Sequence, residues 1–303
     1  MRRLAVILAL TALAIFAASA TAGTHAGRLT LKASGVNGNV GAVLSGATWK
    51  VGGTLDGGAR HVTLHVFRNG VRVITRSVRV RHGVFATKLS VGGVGRVTVH
   101  ALHGKLHSRA VSIWVVAPTV TSGERSYSVR ILQHELTAAH YVVGAAGVYD
   151  AQTQWAVMAF RKMAGLPRSF DVDASVFAAL AARAGGFVIR YPSQGQHVEA
   201  DLTHQVMALI GANGVIQHLY AFSSGKPSTP TTPGNFRFYL RQPGVNNDGM
   251  VNSTYFNGGD AIHGYAEVPS YPASHGCLRV WIPDSLAIYD WVQLGMPIDV
   301  YYR

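Results

Sequence analysis

The chain has 303 residues, a formal net charge of +13 and a single cysteine. One thiol cannot close an internal disulfide, so a disulfide scaffold is excluded and stability must come from packing. The length exceeds one small core and implies two or three domains.

Met1-Arg2-Arg3 precedes an apolar run from Leu4 to Ala18, and Ala18-Ser19-Ala20-Thr21-Ala22 offers two A-x-A cleavage sites. This pattern predicts a secretory signal peptide over 1–22. Left uncleaved, the run would act as a short N-terminal anchor. No later stretch reaches the roughly 20 apolar residues of a membrane span. The protein is therefore expected to be exported, to the cell wall or a periplasm-equivalent space.

The charge is uneven. Residues 27–118 hold 13 Lys and Arg against one acid, Asp56, whereas residues 187–303 hold 6 against 8. An exported basic module is expected to meet anionic wall polymer or membrane headgroups. Nucleic acid is attracted by the same physics but is not an expected partner.

From Leu29 to Val116 the apolar residues alternate with period two: Val62-Leu64-Val66, Val71-Val73, Val78-Val80, Val97-Val99 and Val111-Ile113-Val115. Asn69-Gly70 marks a hairpin, and glycine pairs punctuate the other segments. About seven short strands without helical periodicity predict an immunoglobulin-like β-sandwich over 27–118. Arg72, Arg76, Arg79 and Arg81 should project outward, either to bind polymer or as an ordinary solvated face.

Pro118 to Arg125 reads as a linker. The period then becomes helical, with Val129, Leu132 and Leu136 on one segment and Trp155, Val157, Phe160 and Met163 on another. A third helix ending at Leu180 completes a unit over 119–185. The order Val129-Arg130-x-Leu132-Gln133-x-x-Leu136, Thr153-x-x-Ala156-Val157-x-x-Phe160 and Gly165-Leu166 resembles the peptidoglycan-binding domain. The central Asp-Gly usual in that domain is missing. A helical spacer that only positions its neighbours remains the alternative.

Phe187 begins a second β-rich region, 187–303. A segment holding Val198 to Ile210 turns at Gly211–Gly214 into Val215–Phe222, a hairpin. A helix is predicted from Pro283 to Leu294, with Gly295 at its stop and Ile298–Tyr301 as the last strand.

The lone cysteine lies in Ser274-His275-Gly276-Cys277-Leu278-Arg279. A thiol attacks as thiolate, and its ordinary pKa of about 8.5 must be lowered by a base or a cation. His263 and His275 are the candidates. Gly276 lets a carbonyl approach, and the amides of Gly276 and Cys277 are then placed to hold an oxyanion. Taken alone, Cys277 is as readily a small buried hydrophobe. No second cysteine or carboxylate–histidine cluster accompanies these residues, so no metal or other cofactor is expected. The other twelve histidines read as structural or solvated.

Ala261-Ile262-His263-Gly264 followed by Pro272-Ala273-Ser274-His275-Gly276-Cys277-Leu278-Arg279 resembles the L,D-transpeptidase (YkuD-type) catalytic domain. The Thr/Pro/Gly-rich run Phe222–Phe236 is similar to a segment of the same family. The resemblance implies a mainly-β catalytic domain in which Cys277 attacks a peptidoglycan tetrapeptide stem and forms a thioester. An amine resolving that thioester makes a 3→3 cross-link; water would make the protein an L,D-carboxypeptidase. The resemblance assigns His263 as base, oriented by the carbonyl of Gly264, with His275 lining the pocket. His275 itself, two residues before Cys277 on an extended strand, is the alternative base.

Arg279 points to the same side as Cys277 and is a candidate for a donor carboxylate, or else pairs with Asp284 or Asp290. Tyr255 and Ser274 are further pocket candidates. A papain-like peptidase is disfavoured because His precedes Cys here. A non-catalytic wall-binding protein is the different-class alternative, and a monomer is expected.

Overall fold

The computed structural model describes residues 27–36 and 40–303. The expected signal peptide, 1–22, lies outside them.

The N-terminal module comprises β1 (Lys32–Ser34), β2 (Ala42–Leu44), β3 (Thr48–Thr54), β4 (His61–Arg68), β5 (Val71–Arg79), β6 (Val84–Ser90), β7 (Gly95–His103), β8 (Leu106–His107) and β9 (Val111–Val116). One sheet runs β1-β3-β6, the other β2-β9-β7-β4-β5 with β8 on β7. The period-two pattern buries Val62, Leu64, Val66, Val97 and Val99 against Trp49, Val51, Phe85 and Leu89 of the opposite sheet. Val71 and Val73 depart from expectation. They are 68% and 41% exposed, because β5 is an edge strand and a bulge at Val66/Phe67 shifts its register. Arg72, Arg76 and Arg79 lie exposed on this edge, with exposed Arg81 just beyond it. Arg76 donates to the Lys88 carbonyl at 2.6 Å, tying the edge to β6.

Residues 118–125 are not a free linker. The Val120 amide donates to Val172 O (3.0 Å) and that of Gly123 to Tyr149 O (3.0 Å), so the backbone polar groups of this stretch are satisfied by the helical unit. That unit holds α1 (Tyr127–Ala138), α2 (Ala151–Met163) and α3 (Ala174–Ala181), each N-capped by a side chain: Ser126, Asp150 and Asp173. The helical period delivers Val129, Leu132, Leu136, Val157 and Phe160 to an apolar cluster shared with Ala42 of the sandwich and with Val206, Ala208, Ile210 and Leu219 of the next region. The helices are therefore packed on both sides.

The C-terminal region contains β10 (His197–Asp201), β11 (Val206–Ile210), β12 (Ile216–Ala221), β13 (Gly234–Arg237), β14 (Leu240–Val245), β15 (Val251–Asn257), β16 (Asp260–Tyr265), β17 (Leu278–Trp281), α4 (Ile282–Trp291) and β18 (Pro297–Tyr301). Two sheets, β12-β11-β10-β18-β13 and β14-β15-β16-β17, enclose an apolar core that includes Val198, Met207, Phe222, Phe256, Ile262 and Leu278. The single segment expected from Val198 to Ile210 is two strands. Asp201 Oδ1 accepts from the amides of Thr203 and His204 (2.9 and 3.1 Å) and folds the chain back between them. The C-terminal helix starts as expected, with Pro283 in its first turn, but stops at Trp291, since Val292 is already extended.

Candidate active site

Strands β16 and β17 are parallel, with Ile262 opposite Leu278 and His263 opposite Arg279. Ile262, Leu278 and Val280 are buried in the apolar core, so strand alternation turns His263 and Arg279 to the other face. Cys277 immediately precedes β17. Cys277, His263, Ser274, His275 and Arg279, with Asp248, Met250 and Tyr265, line one cavity of about 320 Å³. Residues 14 apart in sequence meet because the parallel pairing of two short strands lays them side by side.

His263 is 2% exposed. Its Nδ1 donates to the carbonyl of Gly264 at 2.9 Å, which leaves Nε2 as the basic nitrogen. Burial pushes its pKa down; the Gly264 hydrogen bond opposes this and the Arg279 charge adds to it. Cys277 moves the other way: burial raises the thiol, the Ala261 amide opposes that, and the Asp260 carboxylate adds to it. These shifts oppose the lowering of the thiol expected from sequence and favour the uncharged form of each side chain, and the thiol's hydrogen bond runs to the Gly259 carbonyl at 3.5 Å. Such a pair can do nucleophilic chemistry if the imidazole accepts the proton as the sulfur attacks.

The loop before Cys277 is braced by its own side chains and by the Thr/Pro/Gly-rich run. Ser274 is buried; its Oγ donates to Cys277 O (2.6 Å) and accepts the Gly276 amide (3.1 Å). One of the two amides expected to hold an oxyanion is thus already engaged, and that of Cys277 is left. Ser274 touches the cavity, but both of its hydrogen bonds serve the loop. Thr231 Oγ1 donates to Gly276 O at 2.6 Å while accepting the Gly225 amide, and the Lys226 amide donates to Ser274 O. Gly276 has φ +128°, and a Cβ there would stand 2.2 Å from Asp260 Oδ1. A side chain there would have to displace that carboxyl and hold a backbone conformation that residues other than glycine rarely adopt.

The remaining expected residues divide. His275 is exposed, and its Nε2 accepts from Lys226 Nζ at 3.1 Å. Arg279 forms neither expected ion pair; its guanidinium lies 4.2 Å from the Tyr265 ring centroid, and Asp284 is held instead by Gln152 Nε2 at 2.7 Å. Tyr255 does not line the cavity. Its hydroxyl bonds Gln242 Oε1 at 3.0 Å and its ring lies beside Tyr239, because hairpin β14–β15 holds it away from Cys277. Asp248, Met250, Tyr265 and Asp260 were missed; they lie outside the motif, and their approach to the thiol comes from strand pairing.

Residues 195–300 match the L,D-transpeptidase catalytic domain (YkuD), and residues 125–180 match the putative peptidoglycan binding domain. An L,D-transpeptidase structure from Xylanimonas cellulosilytica is 31% identical, with a TM-score of 0.56, over 61% of this chain and 98% of that one. The chain belongs to the L,D-transpeptidase family. L,D-transpeptidase structures from Stackebrandtia nassauensis (19% identical, TM-score 0.39, 61% of this chain and 97% of that one) and Mycobacterium smegmatis (11%, 0.31, 90% and 99%) are more distant. No curated protein matches the chain.

The helical unit is fastened to this L,D-transpeptidase domain around the site. Lys162 Nζ, buried, donates to the carbonyls of Phe222 (2.8 Å) and Gln205 (3.3 Å), and burial drives its pKa well down. Arg168 donates to Ser270 O at 2.7 Å, in the loop between His263 and Cys277. Trp155 stacks on Trp281 at the end of β17, with ring centroids 6.4 Å apart.

Proposed function

We propose that this protein is a peptidoglycan L,D-transpeptidase in which Cys277 attacks the carbonyl of the third residue of a tetrapeptide stem. The placement of Cys277 and His263 on one cavity at the β16–β17 seam carries this reading. His263 Nε2 takes the thiol proton as the sulfur adds to the carbonyl, and the Cys277 amide receives the developing oxyanion. Collapse expels the terminal D-alanine, whose nitrogen takes the proton back from His263, and leaves a thioester. An amine from a neighbouring stem then attacks the thioester carbonyl, gives its proton to His263 and releases Cys277, making a 3→3 cross-link. Arg279, held over Tyr265 at the cavity wall, is placed to receive a donor carboxylate. Ser274 and His275 keep the loop in shape.

The basic N-terminal module is read as immunoglobulin-like, supported by its strand order and by the parallel pairing of β2 with β9. Its exposed arginines are assigned to anionic wall polymer. The three modules follow the bounds 27–118, 119–185 and 187–303, and the protein acts as an exported monomer.

The deciding experiment incubates the protein with disaccharide-tetrapeptide and weighs the products. Cross-linked dimer with loss of D-alanine is expected, and Cys277→Ala should yield none. Tripeptide alone would make it an L,D-carboxypeptidase. Unchanged substrate would leave a wall-binding protein.

A further inference from the structure

Two cavities larger than the one at Cys277 lie away from it, at the seam between the sandwich and the helical unit. Two adjoining cavities of about 710 and 610 Å³ share Arg130, Ala146 and Gly147 and so form one cleft. The smaller is walled by Trp114 of β9 and by Arg125 and Tyr127 at the start of α1. Ile113 and Val115 point into the sandwich core, so alternation sends Trp114 outward, where it stacks on Tyr127 with centroids 6.2 Å apart and planes 22° apart. Both rings remain open to solvent, 42% and 37% exposed. Neither module alone supplies this platform.

The cleft is also electropositive. Arg96 stands opposite Trp114 in the β7–β9 pairing, and among the described residues Arg96, Arg125 and Arg130 have no carboxylate within 4.0 Å. The neighbouring acid Glu124 is engaged by the Thr121 amide (2.8 Å) and the Ser126 hydroxyl (2.6 Å). Glu135 pairs with His134, and Asp150 caps α2. Half-exposed aromatic rings beside guanidinium groups that hold no carboxylate suit a ligand with an apolar ring face and an attached anion. A cavity of this size holds two or three sugar rings.

We propose that this cleft binds glycan strands whose sugars carry free carboxylates, that is, peptidoglycan glycan from which the stem peptides have been removed. The aromatic pair and two guanidinium groups line the same cavity, so the anion must sit within a few ångström of the ring it accompanies. The lactyl carboxylate of N-acetylmuramic acid does so. In a peptide-bearing strand that carboxyl is an uncharged amide, and the stem's own carboxylates lie several residues away. The choice of sugar rests on the peptidoglycan reading above; the site itself is separate from Cys277.

The test is calorimetric titration of the full chain carrying Cys277→Ala. The probes are a peptide-free tetrasaccharide of alternating N-acetylglucosamine and N-acetylmuramic acid, the same tetrasaccharide with stem peptides, chitotetraose, and polyphosphate. The peptide-free acidic tetrasaccharide should bind tightest, with chitotetraose roughly tenfold weaker for want of the charge contacts. Trp114→Ala and Arg130→Gln should each weaken binding by roughly tenfold, with the melting temperature as the check on folding. Equal binding of chitotetraose or of the peptide-bearing strand overturns the proposal, as do tighter binding of polyphosphate, no binding at all, or affinity untouched in both variants. In chains with Cys277 intact, both variants should keep their product pattern on disaccharide-tetrapeptide, which separates failure of the cleft from failure of the catalytic reading.

Discussion

The sandwich and the L,D-transpeptidase domain are both two-sheet structures, but their interiors differ. The sandwich core is apolar almost throughout; Ser108 is its only buried polar residue among those described. Its charge lies outside, and among the described residues none of its cations comes within 4.0 Å of a carboxylate. The catalytic domain buries His197, Glu199, Asp201, His263, Asp284 and Asp299. Glu199, for example, accepts from the amides of Arg190 and Tyr191, the Tyr301 hydroxyl and His197. Burying a charge is costly unless every polar atom is partnered. The sandwich carries no such cost, whereas the domain that holds His263, Cys277 and a braced loop fixes polar groups in a dry interior.

This contrast is sharpest at His263. His263→Ala should lower turnover by about 10²–10⁴-fold, the usual loss of a general base. Because burial raises the Cys277 pKa, alkylation of the thiol in that variant should recover only at pH above the ordinary thiol range. With His263 intact, its lowered pKa keeps the imidazole mostly neutral at pH 7, so turnover should hold there and fall in more acidic buffer. An acid limb centred above pH 7 would contradict this. His275→Ala removes part of the cavity wall and the contact with Lys226 but no proton acceptor of the thiol, so it should leave the apparent thiol pKa unmoved; a rise there alone would reverse the two histidines' roles.

Gly276→Ala comes next. It places a Cβ against Asp260 at a positive φ, and the displaced loop should cost roughly tenfold to a hundredfold in turnover, since small misplacements at a reacting centre are expensive. The double variant Gly276→Ala/Asp260→Gly should recover part of the loss; no recovery would show that the φ strain, not the carboxyl, dominates.

The sandwich arm is tested by neutralising Arg72, Arg76 and Arg79 together. Retention on purified walls should fall several-fold and the remaining binding should depend less on salt, since exposed charges act over about 8–10 Å at 0.1–0.15 M. Equal retention on walls stripped of anionic polymer would remove that ligand.

The smallest effect is on stability. Burial raises the Asp284 pKa to about 6, above its value in the unfolded chain, so the folded state binds the proton more tightly. Stability therefore falls as pH rises from about 4 to 6 and stays reduced above 6, by at most about 3 kcal/mol. Asp284→Asn keeps an acceptor for Gln152 and should raise the melting temperature at pH 7 by a few degrees while flattening that pH window. An unchanged melting curve at both pH 5 and pH 7 would refute it.

The sequence by itself determined the local rules. Alternation set the sandwich strands, the helical period set the first two helices of the middle unit, and the run around Cys277 announced both the thiol and its histidine, because motif chemistry and secondary-structure period are written in near neighbours. The tertiary structure decided what depends on distant groups meeting. It placed Asp260 behind Gly276 and tied the Gly276 carbonyl to Thr231. It left Tyr255 outside the cavity, and it raised the thiol's pKa where the motif suggested lowering it. It also built the Trp114–Tyr127 platform from two modules. Burial and strand register set these outcomes, and both are properties of the packed chain: desolvation depends on what covers a group, and a β-edge or a seam has no counterpart in linear spacing.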